Sequence, residues 1–380
     1  MLKRLINLTP NNVLLIKGPA SVKCEGNAMV LGKNADGEIA IRVGKVLPFE
    51  ASTTSKIKVR ILTGGNYRLV YGDSVGVSIW KDVAIRISER PRRVMLVGAT
   101  DTGKSTLTTY LSNIAYANNL KVSVIDGDVG QGDLAPPSCI GGAAIKKQFL
   151  DLRDIDAEYY AFIGFISPMG IEKLVINRMK EILHKLDAKS NMCLINTDGY
   201  VDEHGIDYKV VLAKTLKPDL IVCIGDYAEK FDGFEIINVH APKRITKTRA
   251  EREERRLTQY ARFIGKGKRI VEIAHANFVF LNTTYDHSIF KGNLVKIGNT
   301  ILPVDSMGGM FIGLGIRDTV MGFGTIRRIT EGKMEINTQY EGKIDTVMLS
   351  SIKLSHNMKS EYRLPLSVDR GKGSEGLTIS

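Results

Sequence analysis

Apolar residues recur with two different periods along this chain, and the change of period marks its parts. Residues 1–88 carry short runs such as "NVLLIKG", "AMVLG", "IAIRVG", "KIKVRIL", "YRLVYG" and "GVSIW". These runs are continuous or alternate in steps of two, and Gly, Asn and Asp interrupt them. Alternation of that kind turns one face of a strand to a core and the other to water. The pattern predicts a small β-sandwich or barrel over 1–88, with no long helix. After "SERPRR" the period changes. Over 89–285, Val- and Ile-rich runs ("VMLVG", "KVSVIDGD", "MCLINTDG", "DLIVCIGD") alternate with stretches of helical spacing at about 103–118, 170–186 and 207–216. Strands separated by helices build a mostly parallel sheet covered on both faces. Over 286–380 the strand signals return in "LVKIGNTILPV", "GTIRRIT", "KMEINT" and "DTVMLSS". The expected fold is an α/β core flanked by N-terminal and C-terminal β-rich domains.

Composition narrows the class. Hydrophobic residues make up 43% and charged residues 25%, the balance of a folded protein rather than a disordered one. The longest apolar runs are too short to cross a bilayer, so no membrane partner is expected. The start "MLKRLINLTPNN" lacks the apolar stretch of a signal peptide. Cys24, Cys139, Cys193 and Cys223 form no CxxC pair and read as reduced thiols, not as a zinc site. The expectation is an intracellular protein, cytoplasmic, or nuclear in a eukaryote. Lys plus Arg number 53 against 41 Asp plus Glu, a formal charge of +12. That excess suits a polyanionic partner, because cations on phosphates release counterions.

The chemistry begins at "VGATDTGKSTL". Gly98, Ala99, Thr100, Asp101, Thr102, Gly103, Lys104 and Ser105, continued by Thr106, fit the pattern G-x-x-x-x-G-K-[ST] between a strand and a helix. The glycines let backbone N–H groups turn inward around an anion, and the helix N-terminus adds partial positive charge. Lys104 is the candidate for the β- and γ-phosphates, and the Ser105 hydroxyl for Mg²⁺. ATP and Mg²⁺ are therefore the expected cofactors, and the core is a P-loop NTPase core. The next strand ends in "DGDVGQGD", where Asp126 and Asp128 are candidates for metal binding or for taking a proton from a nucleophile.

"GATDTGKST" followed by "DGDVGQG" resembles the polynucleotide 5′-hydroxyl kinases, a family that includes the kinase subunit of the eukaryotic mRNA cleavage machinery, nucleolar rRNA-processing kinases and archaeal RNA kinases. The resemblance implies that Asp128 is the catalytic general base and that Gln131, in the same element, binds the substrate. Three further stretches fit it. "FIGFISPMG" matches a G-x-x-[ST]-P element and implies that Ser167 helps hold the acceptor strand. "INTDGYV" matches N-T-x-G-[WY], which implies acceptor contacts from Thr197 and stacking of Tyr200 on a base. "KRITKTRAEREERRLTQYARFIG" matches a lid with Arg-x4-Arg, carried here by Arg244 and Arg249, with Arg252 and Arg256 further along the same helix to meet nucleic acid or pair with Glu.

The resemblance implies transfer of the γ-phosphate of ATP to the 5′-hydroxyl of RNA, with DNA left open, since that choice rests on contacts to the 2′-hydroxyl. Two other readings stay open on the residues alone. One is a non-catalytic ATP-binding adaptor of an RNA-processing complex. The other is a partner-regulated P-loop ATPase that uses water as acceptor.

Overall fold

The computed structural model describes residues 1–71, 77–89, 93–240 and 247–366. The N-terminal strands form two sheets, one of four strands and one of five. In the strand Ser55–Ile61 every second residue is buried, as the alternation of "SKIKVRI" requires. One element departs from the expected all-β domain. "GVSIW" is not a strand, because Val77–Ser88 forms a helix, α1. Trp80, Val83, Ala84 and Ile87 recur at helical spacing and are buried. They face the next helix, where the Trp80 and Tyr110 rings lie 5.8 Å apart.

The central sheet has seven strands, in the order Tyr159–Phe162, Cys139–Ala144, Val122–Asp126, Met192–Asn196, Arg93–Gly98, Leu220–Ile224 and Ile236–Val239. The last five are mutually parallel, and the first two extend the sheet antiparallel. Four of the parallel strands are buried end to end apart from Arg93, which fits their unbroken apolar runs. The crossover helices are α2 (Lys104–Ala117), α3 (Glu172–Asp187) and α4 (Glu203–Leu216). α4 begins earlier than the apolar period suggests, because Asp202 caps it by accepting from Gly205 N. The crevice at the carboxyl ends of these strands is where such sheets bind ligands.

The C-terminal part is a sheet of eight strands plus a small three-stranded sheet. Lys268–Glu272 and Asn277–Phe280 pair into the eight-stranded sheet, so the change of sheet falls after residue 264 rather than at 285. The helix α5 (Arg249–Ile264) lies against this sheet through Leu257, Tyr260 and Ile264, with Tyr260 on Phe311 at 4.7 Å between rings.

One buried side chain ties the N-terminal domain to the core. Asn113 of α2 donates from Nδ2 to the carbonyls of Leu31 and Phe149, both at 2.7 Å, and accepts from Phe149 N at 2.9 Å. Asn113→Ala strands all three backbone groups in the interior, so unfolding free energy should fall by about 2–4 kcal/mol. Urea denaturation measures this, and an unchanged midpoint would refute it.

Candidate active site

The loop between Gly98 and Lys104 is shaped by sterics. A Cβ on Gly98 would lie 2.9 Å from Ile224 O, too close for any other residue. Asp101 and Gly103 take positive φ of 62° and 94°. The loop walls a cavity of about 250 Å³, together with Asp128, Gln131, Lys247 and Arg255. Leu15, Val46, Pro48 and Trp80 complete it from the N-terminal side.

Lys104 is buried, and its ammonium donates to Gly98 O and Ala99 O at 2.7 and 2.9 Å. Burial pulls its pKa down to about 8, with Lys209 adding to the effect and Asp128 opposing it. A phosphate needs the protonated ammonium. The protonated fraction of the free protein is full below pH 8 and falls as pH rises through that value. ATP affinity should therefore weaken about tenfold per unit above pH 8. Calorimetric titration at neutral and alkaline pH measures it, and a flat profile would remove Lys104 from phosphate binding.

The two carboxylates after the next strand have different jobs. Asp126 is buried and fully engaged: Oδ1 accepts from Asn196 Nδ2, and Oδ2 accepts from Asp133 N and Leu134 N. Burial, then the charge of Asp133, raises its pKa to about 6. That arrangement keeps Asp126 out of the cavity lining, so any part it takes in metal binding runs through its hydrogen-bond partners. Asp126 instead orients Asn196, whose Nδ2 also donates to Ser105 Oγ at 3.2 Å. Asp128 lines the cavity. Its Oδ1 accepts from Gly130 N and Gln131 N at 3.0 and 2.9 Å, while its Oδ2 accepts no hydrogen bond among the described residues. Burial, followed by Asp198, raises its pKa. Among the described residues no three His, Cys, Asp or Glu side chains converge on a metal position. Ser105 at the helix start and the open oxygen of Asp128 nevertheless fit the sparse protein ligation that Mg²⁺ takes when phosphates supply its other ligands.

The "INTDGY" turn touches the P-loop closely. A Cβ on Gly199 would lie 2.6 Å from Thr100 N. Thr197 is buried and donates to Leu96 O at 2.7 Å, so it fastens two strands together rather than presenting a hydroxyl to an acceptor. Asn196, its neighbour, is buried, bonds the Ser105 hydroxyl, and is legible in the sequence only as part of the motif. Asp198 is buried, with Oδ1 accepting from Tyr200 N and Oδ2 from the Lys209 ammonium and Tyr208 Oη. Tyr200 is partly buried at the end of this turn. Ser167 Oγ accepts from Met169 N at 3.3 Å, the local bond of a serine that opens a helical turn.

The described part of the basic stretch, from Lys247 onward, is held by ion pairs to the core and the C-terminal domain. Arg244 lies outside the described residues. Arg249 is exposed at the start of α5 and has no carboxylate partner among the described residues. Arg252 donates to Asp101 at 2.9 Å, and Lys247 also bonds that carboxylate. Burial alone would raise the Asp101 pKa, but these cations outweigh it and hold the group ionised. Arg256 pairs with Glu361 of the C-terminal domain, not with a glutamate of its own helix. Arg255 donates to both oxygens of Asp133 and lines the nucleotide cavity. Lys247 and Arg255 belong to the basic run, but no motif singles them out, because only the fold turns them toward the cavity. Gln131 also lines the cavity, and its Nε2 reaches Arg252 O at 3.4 Å.

A P-loop on a parallel sheet, with an open carboxylate facing it and cations around it, is the architecture of the P-loop class of proteins. Residues 98–265 match the family described as the mRNA cleavage and polyadenylation factor CLP1 P-loop. A polyribonucleotide 5′-hydroxyl-kinase of Pyrococcus horikoshii is 33% identical over 218 residues, covering 55% of this chain and 58% of that protein. One of Pyrococcus abyssi is 32% identical over 219 residues, covering 56% and 59%. A CLP1 homologue of Nematostella vectensis is 30% identical over 193 residues, covering 44% of each. The match thus spans under two thirds of each of these relatives. The solved structure of wild-type Clp1p in complex with Pcf11p superposes with a TM-score of 0.72 at 12% identity, covering 93% of this chain and 98% of that one, which extends the shared fold to both flanking domains.

Proposed function

We propose that this chain is an ATP-dependent polynucleotide 5′-hydroxyl kinase acting on RNA. The observation that carries the reading is Asp128: a carboxylate in the nucleotide cavity, held by two backbone N–H groups through one oxygen, with the other oxygen open. Bound ATP supplies the γ-phosphoryl group, and Mg²⁺ neutralises charge on its phosphates. Lys104 releases the loop carbonyls and donates to the phosphates. Ser105, oriented by Asn196, takes the metal. Asp128 accepts the proton of the 5′-hydroxyl as it attacks, a role that suits a carboxyl with a raised pKa. Arg249 closes the open side, and Arg255 adds charge from the α5 face. The apolar end formed by Leu15, Val46, Pro48 and Trp80 suits a nucleobase. Tyr200 offers a ring on which a terminal base stacks.

The test supplies γ-labelled ATP with 5′-hydroxyl RNA and DNA oligonucleotides. Label on the 5′ end is the expected result, and the RNA-to-DNA ratio sets the substrate. Label in free phosphate alone would make the protein an ATPase. Binding of ATP with label in neither would make it an adaptor.

A further inference from the structure

Two cavities outside the nucleotide site follow α5, whose 16 residues span about 24 Å. The first, about 570 Å³, is lined by Arg249, Arg252, Arg256 and Arg363 against Glu253 and Glu361. The second, about 510 Å³, is lined by Lys266, Arg327 and Lys353 and by no carboxylate. Tyr362 borders both and is 56% exposed. The first cavity begins beside the catalytic cleft, since Arg252 bonds Asp101 of the P-loop and its carbonyl accepts from Gln131. The second ends at the far end of α5, around Gly265 and Lys266.

Arg252, Arg256 and Arg327 spend their charge on Asp101, Glu361 and Glu335, but the other cations here do not. Glu361 is already neutralised by Arg256. Arg249, Arg363 and Lys266 have no carboxylate partner among the described residues. Among the described residues Lys353 meets the Ser306 carbonyl and no carboxylate. Cations spaced along a groove, with an exposed aromatic ring between them, are the two components of a single-strand binding track: the cations follow the phosphates and the ring stacks on a base.

We infer that the body of the acceptor strand leaves the active site along this groove. Its phosphates run past Arg363 and Lys266, and one base stacks on Tyr362. The C-terminal β domain thereby grips single-stranded nucleic acid several nucleotides from the reacting end. This inference rests on the kinase reading for the direction of the strand, but its test does not.

The test compares Tyr362→Ala, Tyr362→Phe and Arg363→Ala with wild type in two measurements. One is kinase kinetics on a 5′-hydroxyl dinucleotide and on an RNA of about ten nucleotides. The other is fluorescence anisotropy of the labelled longer RNA in the absence of ATP. Tyr362→Ala should weaken binding and raise KM for the longer RNA about tenfold, with kcat unchanged and the dinucleotide unaffected. Tyr362→Phe should restore both. Arg363→Ala should lower the slope of log affinity against log salt by about 0.7. Equal losses on both substrates would mark a structural role and overturn the track, as would no change on either. If wild type phosphorylates neither substrate, the kinase reading fails, and the anisotropy arm still decides the track.

Discussion

Asp128→Asn should lower kcat about 10²- to 10⁴-fold while the protein keeps its fold and its ATP. The amide oxygen still accepts from Gly130 N and Gln131 N, so the loop keeps its shape. What is lost is the site that receives the proton. The pH profile separates this from a positional effect. Burial, and then Asp198, raise the Asp128 pKa above the ordinary carboxylate value. In wild type kcat/KM should fall as pH drops through that raised value, and the variant should show no such limb. Stability moves in the opposite direction. A raised carboxyl pKa means that the ionised form costs stability above the folded pKa, so at neutral pH the Asn variant should unfold no earlier than wild type. Retention of most of the activity, or an unchanged acid limb, would remove Asp128 from proton transfer.

The P-loop and the central sheet are legible in the sequence because their signals are local. A phosphate loop needs its glycines, lysine and hydroxyl within a few residues, and a buried parallel strand needs only an unbroken apolar run. α1 escapes a local reading for the converse reason. "GVSIW" taken alone alternates in steps of two, and the helical period of Trp80, Val83, Ala84 and Ile87 emerges only across the whole segment. The strands 268–272 and 277–280 look like any others, and which sheet they join depends on partners as distant as Asn337 and Thr346. The site shows the same division. Lys104, Ser105, Asp128 and Gln131 line one cavity as their motifs suggest. Thr197 and Asp126 hold that cavity together from behind, and Asn196, adjacent to one of them, reaches the Ser105 hydroxyl. Strand alternation puts neighbours on opposite sides, so an assignment wrong by one position turns a structural residue into a contact. The pair of Arg255 with Asp133 joins residues 122 positions apart, and no spacing rule finds it.

Lys209→Met should give the largest loss of stability of any single change near the site. The Lys209 side chain is 0% exposed and its Asp198 partner 5%. The pair fixes the "INTDGY" turn, because the other oxygen of Asp198 accepts from Tyr200 N at 2.9 Å. Removing the ammonium leaves a buried carboxylate without a counter-charge, and breaking such a pair costs about 3–5 kcal/mol. Urea denaturation at neutral pH measures the loss. Adding Asp198→Asn to Lys209→Met should return a large part of it, since no charge is then left stranded. A loss below about 1 kcal/mol, or losses that simply add in the double variant, would show that the pair is not coupled. The chemistry should respond as well. Asp198 already raises the Asp128 pKa, and without Lys209 its charge is unopposed. The acid limb of kcat/KM should therefore move to higher pH in Lys209→Met and return toward the wild-type position in the double variant. A residue that only fills space would lower stability without moving that limb.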